Sequence, residues 1–141
     1  VLVHDVARPF VPPEVIHAVV AALREGADAV VPVLPMNDTV RRVGADGALA
    51  GVVDRSQLVR VQTPQGFRRT VLVEAHRCGV GTEATDDAAL VEALGVEVVA
   101  VSGDEEAFKI TTPWDVACAE ALAKVIRSAA TPIPLGGEPK R

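Results

Sequence analysis

The sequence is poor in aromatic residues and has no excess of positive charge. It contains three Phe, one Trp and no Tyr, and its 14 Lys and Arg residues are outnumbered by 19 Asp and Glu residues, which gives a formal net charge of −5. Domains that bind nucleic acid typically offer a basic stripe and aromatic platforms for stacking. The composition therefore predicts that nucleic acid is not a partner.

Cysteine and long apolar runs are also scarce. The two cysteines, Cys78 and Cys118, cannot form a disulfide framework and match no metal-ligand spacing, so we predict a cytoplasmic protein without a metal site of its own. No apolar run approaches the ~20 residues that a membrane span needs, which predicts no membrane partner. A chain of 141 residues that is 49% apolar is instead typical of one folded domain.

Short apolar runs alternate with amphipathic segments, which predicts an α/β domain with a mainly parallel sheet. Strands are predicted at residues 1–3, 29–34, 58–62, 96–101 and 108–110, and helices at about 12–25, 69–77, 85–94 and 113–128. Pro32 predicts a bend or bulge in its strand. Residues 63–67 have the composition of a rigid turn, and Thr85 that of a helix N-cap.

Residues 38–53 carry the pattern of a β-hairpin with an Asp-Gly turn. An isolated polar hairpin is only marginally stable in water, so we expect this one to pack against its own domain or against a second copy of the chain. The chain begins without Met, inside an apparent buried strand, and we expect it to be the later part of a longer protein. The predicted organisation is a single domain over residues 1–128, with an arm at about 36–62, and a flexible tail over 129–141.

Helix and strand periodicity leaves six polar residues at the ends of elements unexplained. They are Asp5, Arg8, Thr39, Arg55, Thr63 and Lys109. Asp5 and Arg8 suit either a structural role, as an ion pair or a turn device, or a ligand site. Lys109, on its apolar strand, either extends to solvent or faces an anion. Cations and hydroxyl groups suit the binding of a phosphate and a hydroxylated carbon chain, whereas nucleophilic catalysis has little support.

Six blocks, in this order, resemble the 2-C-methyl-D-erythritol 4-phosphate cytidylyltransferase family. They are VLVHDVARPF (1–10), VPVLPMNDTV (31–40), VDR (53–55), QTPQGF (62–67), TDDA (85–88) and FKITTPWD (108–115). The resemblance implies a Rossmann-like nucleotidyltransferase fold and a homodimer built around a projecting β-arm. The family's glycine-rich loop, which binds the CTP phosphates, is not found in this sequence and would lie before Val1.

The resemblance also implies roles for individual residues. Asp5 and Arg8 contact the polyol phosphate, and Asp5 with Val6 contacts the nucleotide. Thr39 and Arg55, at the base of the arm, bind the substrate phosphate in the neighbouring subunit. Thr63 and Lys109 complete the substrate site, and Lys109 and Arg55 are the catalytic cations.

The implied reaction is cytidylyl transfer from CTP to 2-C-methyl-D-erythritol 4-phosphate, with release of pyrophosphate. The expected cofactor is Mg²⁺ held mainly by the CTP phosphates, because this ion usually keeps few protein ligands. The alternatives are transfer to another polyol phosphate, such as ribitol 5-phosphate, and a non-catalytic dimerisation fragment. Without the glycine-rich loop, we expect the 141-residue chain alone to be inactive.

Overall fold

The computed structural model describes residues 1–79 and 84–129, which fall into two compact units, one from Val1 to Phe108 and one from Lys109 onward. The strands are β1 (Leu2–Val3), β2 (Ala29–Pro35), β3 (Val40–Val43), β4 (Leu49–Val53), β5 (Val59–Val61), β6 (Gln65–Phe67) and β7 (Val98–Ser102). The helices are α1 (Pro13–Arg24), α2 (Arg69–Cys78), α3 (Asp87–Glu92) and α4 (Pro113–Ala129). No helix within the described ranges has the length and apolar character needed to cross a lipid bilayer.

Strand β2 is the centre of a five-stranded sheet in the first unit. β7 runs parallel to β2 along one edge, β5 and β6 both run antiparallel along its other edge, and β1 pairs antiparallel with β6. The α/β class is confirmed, and β1, β2 and β7 share one direction. The pairing is nevertheless not mainly parallel, because β6 lies between β1 and β2. Its residues, predicted as a turn from their Pro and Gly content, are a fully buried strand.

Helices cover the β2 region of this sheet on both faces. Helix α1 packs against β2, β6 and β7, and its Val19 has no exposed surface. A Cβ on Gly66 of β6 would lie 2.5 Å from Val19 Cγ1, so this close approach requires glycine. Helices α2 and α3 cover the opposite face, where Val91 packs with Val31 and Phe67 in the buried core.

The predicted hairpin forms a separate two-stranded sheet. β3 and β4 pair antiparallel, with an irregular register between Arg41 and Arg42. Gly47 closes the turn with a φ of +80°, a left-handed conformation that favours glycine. Apolar side chains of the hairpin are exposed to solvent: Val43, Leu49 and Val52 are 65–67% exposed.

Other local predictions are wrong. Residues 108–110 form no strand, because Asp104 caps a 3-10 helix at Glu105–Ala107 that turns the chain just before them. The run at residues 1–3 is not buried, since Val1 is 54% and Leu2 is 39% exposed. The predicted flexible tail lies outside the described residues apart from Ala129, the last residue of α4.

Candidate active site

A two-residue bulge opposite Pro32 shapes the candidate site. On β2 three positions separate Val30 from Val33, but five separate their partners Gly66 and Val61. Pro32 has no N–H for the ladder, although its carbonyl still accepts from the Gln62 amide at 2.8 Å. The prediction placed the irregularity in the strand of Pro32, whereas the extra residues lie opposite that strand, between β5 and β6, and one of them is Thr63.

Asp5 and Thr63, 58 positions apart in the chain, meet at the end of β1. The Asp5 backbone amide donates to Thr63 Oγ1 at 3.0 Å. The Asp5 carboxylate accepts from the Ala7 amide at 3.0 Å and so shapes the turn after the strand. Val6, within this turn, is 91% exposed. The structure thus brings together two of the six predicted site residues.

Arg8 ends the same turn, and its guanidinium donates hydrogen bonds to backbone carbonyls. Nη1 donates to the Ala107 oxygen at 2.7 Å and Nη2 to the Val61 oxygen at 3.4 Å. Burial lowers the pKa of Arg8, and the nearby Asp5 carboxylate partly opposes this shift. The side chain stays charged, because even a lowered guanidinium pKa lies far above neutral pH. Arg8 therefore ties the turn to β5 and to the loop after β7.

A cleft of about 400 Å³ opens beside Asp5 and Thr63. Its lining also includes Gln65, Asp86 and Asp87, which we did not predict as site residues. Asp86, not Thr85, is the N-cap of α3, because its carboxylate accepts from the Ala89 amide. The second Asp86 oxygen accepts from the Gln65 amide at 2.8 Å. The sequence signal for these missed residues was the pair Gln62 and Gln65. These two polar residues flank Thr63-Pro64 in a segment that has no helical periodicity.

Thr39 and Arg55 lie at the base of the hairpin, and both are exposed. The Arg55 guanidinium donates to the Asn37 carbonyl, on the segment that leads into β3. Asp54 starts the 3-10 helix Arg55–Gln57 by accepting from the Ser56 amide and hydroxyl. Within the chain, the hydrogen bond from Arg55 to Asn37 holds the two ends of the arm together.

Lys109 is the first residue of the second unit and is exposed. Helix α4 follows it, and Asp115 in the first turn accepts from the amides and hydroxyls of Thr111 and Thr112. These hydrogen bonds hold the pKa of Asp115 at about 2. The Thr-Thr-Pro-Trp-Asp stretch thus caps the start of α4.

Cys78 lacks the surroundings of a nucleophile. Cys78 is exposed, and its thiol donates to Glu74 Oε1 at 3.3 Å, which raises the pKa of Cys78. A raised pKa leaves less thiolate, the reactive form. Among the described residues, no group of three His, Cys, Asp or Glu side chains could hold a metal ion.

Comparison with known proteins identifies the family of this chain. The sequence model of IspD, 2-C-methyl-D-erythritol 4-phosphate cytidylyltransferase, matches residues 1–125. The chain belongs to this cytidylyltransferase family. A relative of that name from Frankia casuarinae is 54% identical over 122 residues, which are 86% of this chain and 46% of the relative.

Other cytidylyltransferases are similar to this chain in sequence and in structure. The Streptomyces avermitilis relative is 51% identical over 128 residues, with 86% of this chain and 51% of the relative covered. The crystal structure of the cytidylyltransferase from Thermus thermophilus is 49% identical, with a TM-score of 0.80 over 87% of this chain and 61% of that one. The likeness confirms the nucleotidyltransferase fold. The chain spans about half the length of the curated relatives it matches.

Proposed function

We propose that the protein carrying this sequence transfers a cytidylyl group from CTP to 2-C-methyl-D-erythritol 4-phosphate and releases pyrophosphate, a step of non-mevalonate isoprenoid precursor synthesis. The observation that carries the proposal is the family match over residues 1–125. The meeting of Asp5 and Thr63 beside an open cleft supports it, because a carboxylate and a hydroxyl suit a polyol ligand.

The chemistry needs charge neutralisation more than proton transfer. An oxygen of the substrate phosphate attacks the α-phosphorus of CTP, a new P–O bond forms, and the bond to the β-phosphate oxygen breaks. The attacking oxygen is already anionic near pH 7, so no general base is required. Lys109 and Arg55 are the proposed cations that offset the developing charge, and Asp5 and Thr63 order the substrate hydroxyls.

The proposal includes a homodimer in which the arm docks on the neighbouring subunit. Thr39 and Arg55 would then bind the substrate phosphate of the partner's site. The exposed side chains of Val43, Leu49 and Val52 support this docking, because they give the hairpin an apolar surface that the described residues do not cover. The contact with Asn37 uses only Nη1 of Arg55, so Nη2 and Nε keep N–H donors for the phosphate.

Mg²⁺ and a cytoplasmic location complete the proposal. Mg²⁺ usually keeps several waters and few protein ligands, so we assign its coordination mainly to the CTP phosphates. Two free cysteines suit a reducing compartment.

The test is product formation by the full-length protein with CTP and Mg²⁺. We expect pyrophosphate and a cytidylylated product with 2-C-methyl-D-erythritol 4-phosphate, and much less of either with ribitol 5-phosphate. The 141-residue chain assayed alone should form neither, since it contains no glycine-rich phosphate loop. A full-length protein that prefers ribitol 5-phosphate, or that uses no polyol phosphate, would contradict the proposal.

A further inference from the structure

The His4 ring contacts two of the predicted site residues, Arg8 and Thr63, although His4 was not predicted to be one. Its Nε2 lies 3.1 Å from the Arg8 carbonyl oxygen, and its Nδ1 lies 2.9 Å from Thr63 Oγ1. The next residue, Asp5, donates its amide to the same Oγ1 at 3.0 Å. The imidazole therefore spans from the turn after β1 to the bulge between β5 and β6.

For the neutral His4 ring, these contacts define one arrangement of protons. A carbonyl oxygen only accepts, so the contact with Arg8 requires the proton on Nε2 of His4. In the neutral ring Nδ1 then has a lone pair and accepts from the Thr63 hydroxyl. Thr63 Oγ1 thus donates to His4, accepts from the Asp5 amide, and keeps one lone pair for a further partner.

We propose that His4 is a positioning residue that holds the Thr63 hydroxyl as a hydrogen-bond acceptor for a hydroxyl group of the polyol phosphate. With its proton committed to His4, Thr63 offers a ligand only a lone pair. A lone pair attracts an O–H donor and repels a phosphate oxygen. The arrangement therefore selects which part of the substrate lies against Thr63, and it rests on the proposed transfer to a polyol phosphate.

Two conservative variants of the full-length protein test the hydrogen bonds of Nδ1 and Nε2 of His4 separately. His4→Asn keeps an acceptor near the Nδ1 position, whereas His4→Gln keeps only a donor near the Nε2 position. We expect His4→Gln to raise KM for the polyol phosphate about five- to tenfold, the effect of one hydrogen bond, and to leave KM for CTP unchanged. His4→Asn should recover most of the loss. Equal effects of the two variants would overturn the proposal.

A double-mutant cycle tests whether His4 acts through Thr63. In a Thr63→Val background the hydroxyl is gone, so His4→Gln should raise KM for the polyol phosphate no further. An undiminished effect of His4→Gln in that background would assign His4 a different role and overturn the proposal. Thermal unfolding of each variant should show that the KM changes are not a loss of fold.

A readout without activity keeps this inference separate from the proposed function. In ¹⁵N-histidine NMR spectra, we expect His4 to be protonated on Nε2. Its Nδ1 resonance should shift on Thr63→Val, while those of His17 and His76 stay in place. If the wild-type protein uses no polyol phosphate, the proposed function fails and these spectra still decide the role of His4. A proton on Nδ1, or an Nδ1 resonance that does not shift on Thr63→Val, would overturn the proposed role of His4.

Discussion

Gln62 faces Gly103 so closely that a Cβ added to Gly103 would lie 2.2 Å from Gln62 Oε1. The amide of Gln62 is buried and donates to the Asp104 oxygen at 2.7 Å and to the Ala107 oxygen at 3.3 Å, while its Oε1 accepts from the Asp104 amide. The Ala107 carbonyl oxygen also accepts a hydrogen bond from the Arg8 guanidinium. One buried glutamine therefore organises the loop on which Arg8 depends.

We predict that Gly103→Ala destabilises the fold by about 1–3 kcal/mol, because the new methyl group displaces Gln62 and breaks its buried hydrogen bonds. Urea unfolding of the full-length protein measures the change. In a Gln62→Ala background the clash with the glutamine is gone and only the Val33 carbonyl oxygen, at 3.1 Å, still crowds the methyl group, so the cost of Gly103→Ala should fall. An equal cost in both backgrounds would show that the clash is not the cause.

The carboxylate of Asp115 should stabilise the start of α4 in a pH-dependent way. Its folded pKa of about 2 lies below the ordinary value of 3.8. A depressed folded pKa gives stability that is complete above the unfolded pKa and is lost as pH falls towards the folded pKa. Asp115→Asn should therefore destabilise the protein at neutral pH, by an amount that shrinks between about pH 4 and 2.

The measurement is a carboxyl titration by NMR together with urea unfolding at several pH values. Glu120→Gln removes a charge from the same helix and is the matched control, which should not reproduce this pH dependence. An Asp115 midpoint close to 3.8 would contradict the prediction.

Lys109→Ala should lower kcat/KM of the full-length protein about 10- to 100-fold, because a charge-assisted contact with a phosphate is worth about 1.5–3 kcal/mol. Lys109→Arg keeps the charge and should lose less. Lys109 is exposed, so neither variant should lower the melting temperature. Lys124→Ala, which removes another exposed lysine of the same unit, is the control. A lower melting temperature with intact turnover would assign Lys109 a structural role.

Mixing inactive subunits should show whether Arg55 serves the neighbouring site. If Arg55 acts in trans and Lys109 in cis, a dimer of one Arg55→Ala and one Lys109→Ala subunit has one intact site. Half of the dimers are mixed at a 1:1 ratio, so about a quarter of wild-type activity should return when sites are independent. If both residues serve one subunit's site, mixing restores nothing, and Arg55 then acts in its own subunit.

The sequence alone determined the α/β class, the helix positions, the hairpin and the family. These depend on local signals: apolar periodicity, Gly47 at a turn, Pro13 near a helix start, and short motifs in a fixed order. Such signals operate within one element or between neighbours along the chain, so a single sequence contains them completely.

The tertiary structure decided which strand lies next to which and what each polar side chain touches. Residues 65–67 have the composition of a turn but are a buried strand, because β1 and β2 bring their hydrogen-bonding edges to it. Asp86 and His4 acquire their partners Gln65 and Thr63 from 21 and 59 positions away. Contacts over such separations depend on sheet register and bulges, which tertiary packing selects and local propensity does not encode.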